Sequence, residues 1–179
     1  MRKSTTKTLV LSGVFIALGL VLPFLTGQIP QIGSKLLPMH IPVLLCGFVC
    51  GGFPGMLVGF IVPIFRSLLF GMPPMFPTAV AMSFELATYG LMTGLLYRAL
   101  PKKTVSIYVN LVMSMIVGRI VWGLVSWGLL TITGSAFTWK IFMTAAFINA
   151  IPGIIVQIVL IPLIVVALQK ARLITNERA

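Results

Sequence analysis

The chain has 179 residues, of which 59% are hydrophobic and only 8% charged, and its mean hydropathy is +1.12. Soluble domains carry about 25% charged residues, so these figures exclude a soluble fold and predict an integral membrane protein. A formal charge of +11 would suggest nucleic acid in a soluble protein, but here the basic residues collect at the chain ends and in one loop, where they report membrane orientation.

The apolar runs are long and lack strand alternation, which favours helices over a membrane β-barrel. Residues 1–25 look like a signal peptide, with Arg2, Lys3 and Lys7 before an apolar run. No small-residue cleavage site follows, so the run is read as the first transmembrane helix, over 8–25. It ends at Pro23 and Thr26-Gly27. Gly13 and Ala17 lie four apart, a small-xxx-small pair that lets another helix approach closely, within the chain or from a partner.

Residues 28–35 read as a loop. A short second helix, about 38–49, carries Pro42 in its first turn, where proline is tolerated. Its cysteines, Cys46 and Cys50, lack the partners of a zinc site and read as small buried residues. The turn Gly51-Gly52-Phe53-Pro54-Gly55 leads to a third helix over 55–70, in which Pro63 predicts a kink. Gly47, Gly51, Gly55 and Gly59 recur every four residues, but the turn interrupts them, so they do not form one helical face. Residues 71–77 read as a loop.

The fourth helix is expected over 78–97, the fifth over 105–130 and the sixth over 141–168, the last kinked at Pro152-Gly153 and Pro162. With a cytoplasmic N-terminus, nine basic residues fall on the inner side and two or three on the outer side. That split predicts both termini cytoplasmic. The expected fold is therefore an all-α membrane protein of six transmembrane helices in a single compact bundle, residues 1–179 forming one domain without internal repeats.

Three ionisable groups remain at membrane depth or near it: Arg66, Glu85 and Arg119. Each costs roughly 2.5–3.5 kcal/mol at a helix centre on insertion scales, so something must offset them. One reading is a structural ion pair that locks helices together. The other is a ligand: two arginines against one glutamate leave a surplus positive charge, which a carboxylate gripped by Arg66 or Arg119 would balance. Around Glu85, the residues Thr78, Met82, Thr88 and Tyr89 share a helical face. Around Arg119, Met115, Trp122, Gly123 and Ser126 do so. Asn149, Gly153 and Gln157 share a face of the last helix. Each set mixes polar with aromatic or small groups, as small-molecule sites do, although Asn149 and Gln157 also suit simple interhelical hydrogen bonds. Trp139, near a helix start, reads as an interface anchor.

His40 is the only histidine, and it either caps a pocket or sits at the interface. Alone it makes no metal site. The chain has no aspartate, hence no Ser-His-Asp arrangement, and no P-loop run, so ATP would have to be bound by another subunit. No catalytic residues, metal or cofactor are expected.

The size, the basic six-helix pattern and the runs PMHIPVLLCGF (residues 38–48) and PPMFPTAVAMSFE (residues 73–85) resemble the substrate-binding S components of energy-coupling factor (ECF) transporters. The resemblance covers nearly the whole chain. It implies a multi-pass subunit of the bacterial plasma membrane that binds a vitamin with high affinity. It further implies docking on a transmembrane coupling subunit with two ATPases, and toppling in the membrane to carry the ligand inward. The family's A-x-x-x-A docking pattern reads Gly13 and Ala17 here, departing at its first alanine. The loop 28–35 would act as the gate. The ligand site would draw on Arg66, Glu85, Tyr89, Arg119, Trp122, Asn149, Gln157 and His40. The surplus charge favours a carboxylate vitamin such as pantothenate, niacin or biotin. A neutral vitamin such as pyridoxine competes if Glu85 neutralises one arginine. Two other function classes stand beside this one: a stand-alone channel or secondary transporter, which would take up solute without any ATPase, and a membrane enzyme or assembly protein, which turnover by the purified chain would reveal.

Overall fold

The computed structural model describes residues 5–26, 35–101, 103–135, 138–171 and 174. Residues 28–34 of the expected gate, 28–35, lie outside them, as do Arg2, Lys3, Lys102, Arg172 and Arg178 of the charge count. Among the described residues the chain is all helical.

Helix α1 (Thr5–Val21) buries only Phe15 and Gly19 and ends in a tight turn, Leu22–Thr26, shaped around Pro23. Helix α2 (His40–Cys50) is the reverse case. Nine of its 11 residues are buried, as expected of a helix that is apolar all round. At roughly 16 Å it is about half the thickness of a bilayer's hydrocarbon core. Among the described residues, five helical stretches, Thr5–Leu25, Gly52–Phe70, Met75–Ala99, Thr104–Ile132 and Trp139–Lys170, are long and apolar enough to cross a membrane.

The turn after α2 is made at Gly51, whose φ of 103° is a conformation that side chains disfavour. Helix α3 (Gly52–Phe70) follows at once and continues through Pro63 without interruption. The loop expected over 71–77 is irregular, with extended backbone at Pro74 and Phe76, and a wide turn, Met75–Ala79, leads from it into helix α4 (Val80–Ala99). Helix α5 spans Thr104–Ile132. The last predicted helix runs as one helical stretch, Trp139–Lys170, distorted ahead of Pro152. It comprises α6 (Trp139–Met143), a wide turn (Thr144–Ile148) and α7 (Ile151–Lys170). Thr138 caps α6 by accepting from the Ile141 N–H at 3.4 Å. Pro152 lies in the first turn of α7, where its missing N–H leaves no helical hydrogen bond unmade.

Helix α4 is central, packing on α2, α3 and α5. The approach to α2 and α3 is backbone to backbone. A methyl group at Gly59 would meet the Leu86 carbonyl, one at Gly90 the Gly55 backbone, and one at Gly94 the Gly51–Gly52 peptide. Gly47 likewise lies against the Gly90 carbonyl, at 2.7 Å from where its Cβ would be. The four-residue glycine recurrence is thus not one helical face. Two helices joined by a turn bring it against a third. This places α4's side chains, Glu85 and Tyr89 among them, at the centre of the molecule.

Candidate functional site

Glu85 lies in the second turn of α4, and Tyr89 lies one turn further along the same face. Opposite them, α5 comes close because Gly118 has no side chain: a Cβ there would collide with the Tyr89 ring and lie 3.2 Å from the Glu85 carbonyl. The next residue, Arg119, can therefore reach across. Its Nη1 is 3.0 Å from Glu85 Oε1. From a third direction, His40 at the first residue of α2 sets Nε2 3.6 Å from the same oxygen and its ring edge-on to Tyr89, with centroids 5.4 Å apart. Tyr89 lies beside both charged groups. All four side chains are buried, with Arg119 the most exposed at 5%.

The cluster holds more polar capacity than it uses. Among the described residues, Arg119 Nε and Nη2 and both His40 ring nitrogens have no hydrogen-bond partner. Glu85 Oε1, although close to Arg119 Nη1, accepts no aligned hydrogen bond either. A buried polar group without a partner costs about 1–3 kcal/mol. Nε and Nη2 form one edge of the guanidinium fork, which suits a carboxylate or any paired acceptors. The open groups are therefore a donor pair, an acceptor and a histidine that can do either.

Arg66 is elsewhere. It is 3% exposed, its Nη1 donates to the Leu20 carbonyl at 2.5 Å, and its guanidinium sits 5.1 and 5.3 Å from the Phe24 and Phe70 ring centroids. It closes the C-terminal end of α1 with a charge-assisted bond and two cation–π contacts. The surplus charge inferred from two arginines and one glutamate is thus not local to Glu85, where Arg119 alone balances it.

The other expected site residues separate. Met115 and Ser126 are buried and Thr78 is exposed. Trp122 stacks on Phe142 at 6.3 Å, and Gly123 lies against the same ring. Asn149 is exposed between the wide turn and α7. Gln157 is buried and donates from Nε2 to the Leu37 carbonyl at 3.5 Å. Gly13 and Ala17 lie on the uncovered face of α1, and nothing is within 4 Å of a Cβ at Gly13. An apolar groove of about 330 Å³ between α5 and α6, lined by Ile120, Leu124, Trp127, Trp139 and Phe142 among others, contains none of the charged cluster.

A second polar layer was not foreseen. Asn110 Nδ2 donates to the Thr93 carbonyl at 2.9 Å and its Oδ1 accepts from Ser114 at 3.1 Å. Further along, Gln169 Nε2 donates to the Tyr97 hydroxyl at 2.8 Å. The four-residue spacing of Glu85, Tyr89, Thr93 and Tyr97, facing Asn110, Ser114 and Gly118, was the signal in the sequence. This layer joins helices by bonds already made, unlike the cluster above it. No group of three or more His, Cys, Asp or Glu residues able to hold a metal occurs among the described residues.

A family model described as "ECF transporter, substrate-specific component" matches residues 7–165. No curated protein and no solved structure matches the chain. The match runs through every helix described above, from α1 to most of α7, and includes the whole buried cluster. The chain belongs to the substrate-specific components of ECF transporters.

Proposed function

We propose that this subunit captures a small polar vitamin at the His40–Glu85–Tyr89–Arg119 cluster and delivers it to an ATP-driven importer. The observation that carries this reading is the Arg119 side chain: buried, paired with Glu85 through Nη1, and open along its Nε–Nη2 edge. A carboxylate such as that of pantothenate fits this fork, while Glu85 and His40 receive the ligand's hydroxyl or amide groups. A second reading, a neutral vitamin such as pyridoxine, is favoured by the charge balance, because the Arg119–Glu85 pair is already neutral and Arg66 is engaged with α1.

The assembly we propose is a six-helix, one-domain subunit with both termini cytoplasmic in a bacterial plasma membrane. It docks a transmembrane coupling subunit and two ATPases through the uncovered small face at Gly13 and Ala17, and it performs no catalysis itself. Isothermal titration of the purified chain against pantothenate, niacin, biotin and pyridoxine tests the site. One of them binds tightly, and Arg119→Met abolishes that binding. Tight binding that survives Arg119→Met overturns the proposal, and uptake by cells lacking any coupling module overturns the assembly.

A further inference from the structure

His40 is the cluster member with the least support from its own helix. It is the first residue of α2, where backbone N–H groups have no partner within the helix. Its N–H donates instead to the Leu37 carbonyl at 3.1 Å. The same carbonyl accepts from Gln157 Nε2, a side chain of α7 that is 1% exposed. One oxygen, with its two lone pairs, therefore ties the start of α2 to the middle of α7.

The short strap between them is held in place from the same side. Gly153, one turn before Gln157, lies directly under the strap: a Cβ there would be 2.6 Å from the Lys35 carbonyl oxygen and 2.9 Å from Leu36. Leu37 is buried at φ 52°, a left-handed conformation that leucine adopts only when its surroundings impose it. Gly153 and Gln157 of α7 are the contacts made by this strap on that side.

We infer that Gln157 is a positioning residue: through the Leu37 carbonyl it sets the orientation of the His40 imidazole against Glu85 and Tyr89, without touching the ligand. This rests on the reading of His40 as a ligand group, but its test needs no ligand. Because His40 is the only histidine, protein labelled with ¹⁵N-histidine gives one set of ring signals, and the rate of diethylpyrocarbonate modification of histidine reports this residue alone.

Gln157→Met keeps the shape and removes the donor. It is expected to move the His40 signals and to speed modification about tenfold, the factor that follows from losing one buried hydrogen bond. Gln157→Glu, which as a protonated acid donates the same bond, keeps both readouts at their original values. Gly153→Ala, which displaces Lys35 and Leu36 directly, is expected to move the His40 signals as well and shows that they respond to the position of this strap. The inference is overturned if Gln157→Met leaves the His40 signals unmoved, or if Gln157→Met and Gln157→Glu move them alike. A loss of vitamin affinity in Gln157→Met with unmoved His40 signals would return Gln157 to the ligand and overturn it equally.

Discussion

Arg119 and Glu85, on neighbouring helices, meet at 3.0 Å, yet the contact leaves the Nε–Nη2 edge of the arginine without a partner. The pair is thus both a brace between α4 and α5 and an incomplete polar surface. The two roles separate by mutation. Glu85→Gln leaves a buried guanidinium uncompensated, which typically costs 3–5 kcal/mol. The double variant Glu85→Leu/Arg119→Met removes both charges and is expected to recover most of that stability while binding no vitamin. Thermal denaturation in detergent checks the first expectation and ligand titration the second.

Arg66 is expected to behave in the opposite way. Arg66→Ala removes the bond to the Leu20 carbonyl and the contacts with Phe24 and Phe70, at a cost of about 2 kcal/mol. Affinity for the ligand should change less than about threefold, since under 0.7 kcal/mol of binding energy is at stake. The melting temperature and the dissociation constant of the same preparation distinguish the two. A drop in affinity as large as that of Arg119→Met would place Arg66 at the ligand.

The glycines divide into two kinds. Gly90→Ala drives a methyl group into the Gly55 backbone and Gly59→Ala into the Leu86 carbonyl. Neither neighbour can rotate away, so each substitution is expected to destabilise the fold by about 3 kcal/mol or more. Gly13→Ala meets nothing and should leave the melting temperature within about 1 °C, as uncrowded surface changes do. Expression level and melting temperature of the three variants check this.

Gly13→Leu and Ala17→Leu test the other side of the same observation. Both positions lie on the uncovered face of α1, so bulk added there should spare vitamin binding by the isolated chain. Co-purification with the coupling module should fall by at least about tenfold, because close helix approach in a membrane requires small residues. Equal retention of the module by both variants would exclude this face as the contact.

The membrane class and the positions of the helices were legible because they follow from apolar run length, which does not depend on tertiary contacts. Glu85 and Arg119 were legible as members of a buried polar cluster because each interrupts an apolar helix at depth, and Tyr89 because it shares the helical face of Glu85. Which arginine meets Glu85 was not, since a linear pattern carries no information about helix neighbours. Gly118 decides it, by letting α5 reach Tyr89 and Glu85. That the glycines at 47, 55 and 59, although not one helical face, pack against a common partner was illegible for a similar reason: that partner, α4, comes later in the chain. Asn149 is exposed, away from Gln157, for a local reason. The face it shares with Gly153 and Gln157 assumes an unbroken period of 3.6 residues, whereas the wide turn over Thr144–Ile148 and the distortion before Ile151 shift the phase.

The backbone contact among α2, α3 and α4 bears on how such a subunit can be retargeted to another nutrient. Where main chains touch there is no side chain to trim or enlarge, so laboratory evolution finds little latitude in that half. Altered selectivity is expected to accumulate instead on the inward faces of α5 and α7, in the strap before His40 and at the ligand-facing side chains of α2 and α4, with the glycine seams that join α2, α3 and α4 inherited unchanged from one ligand preference to the next.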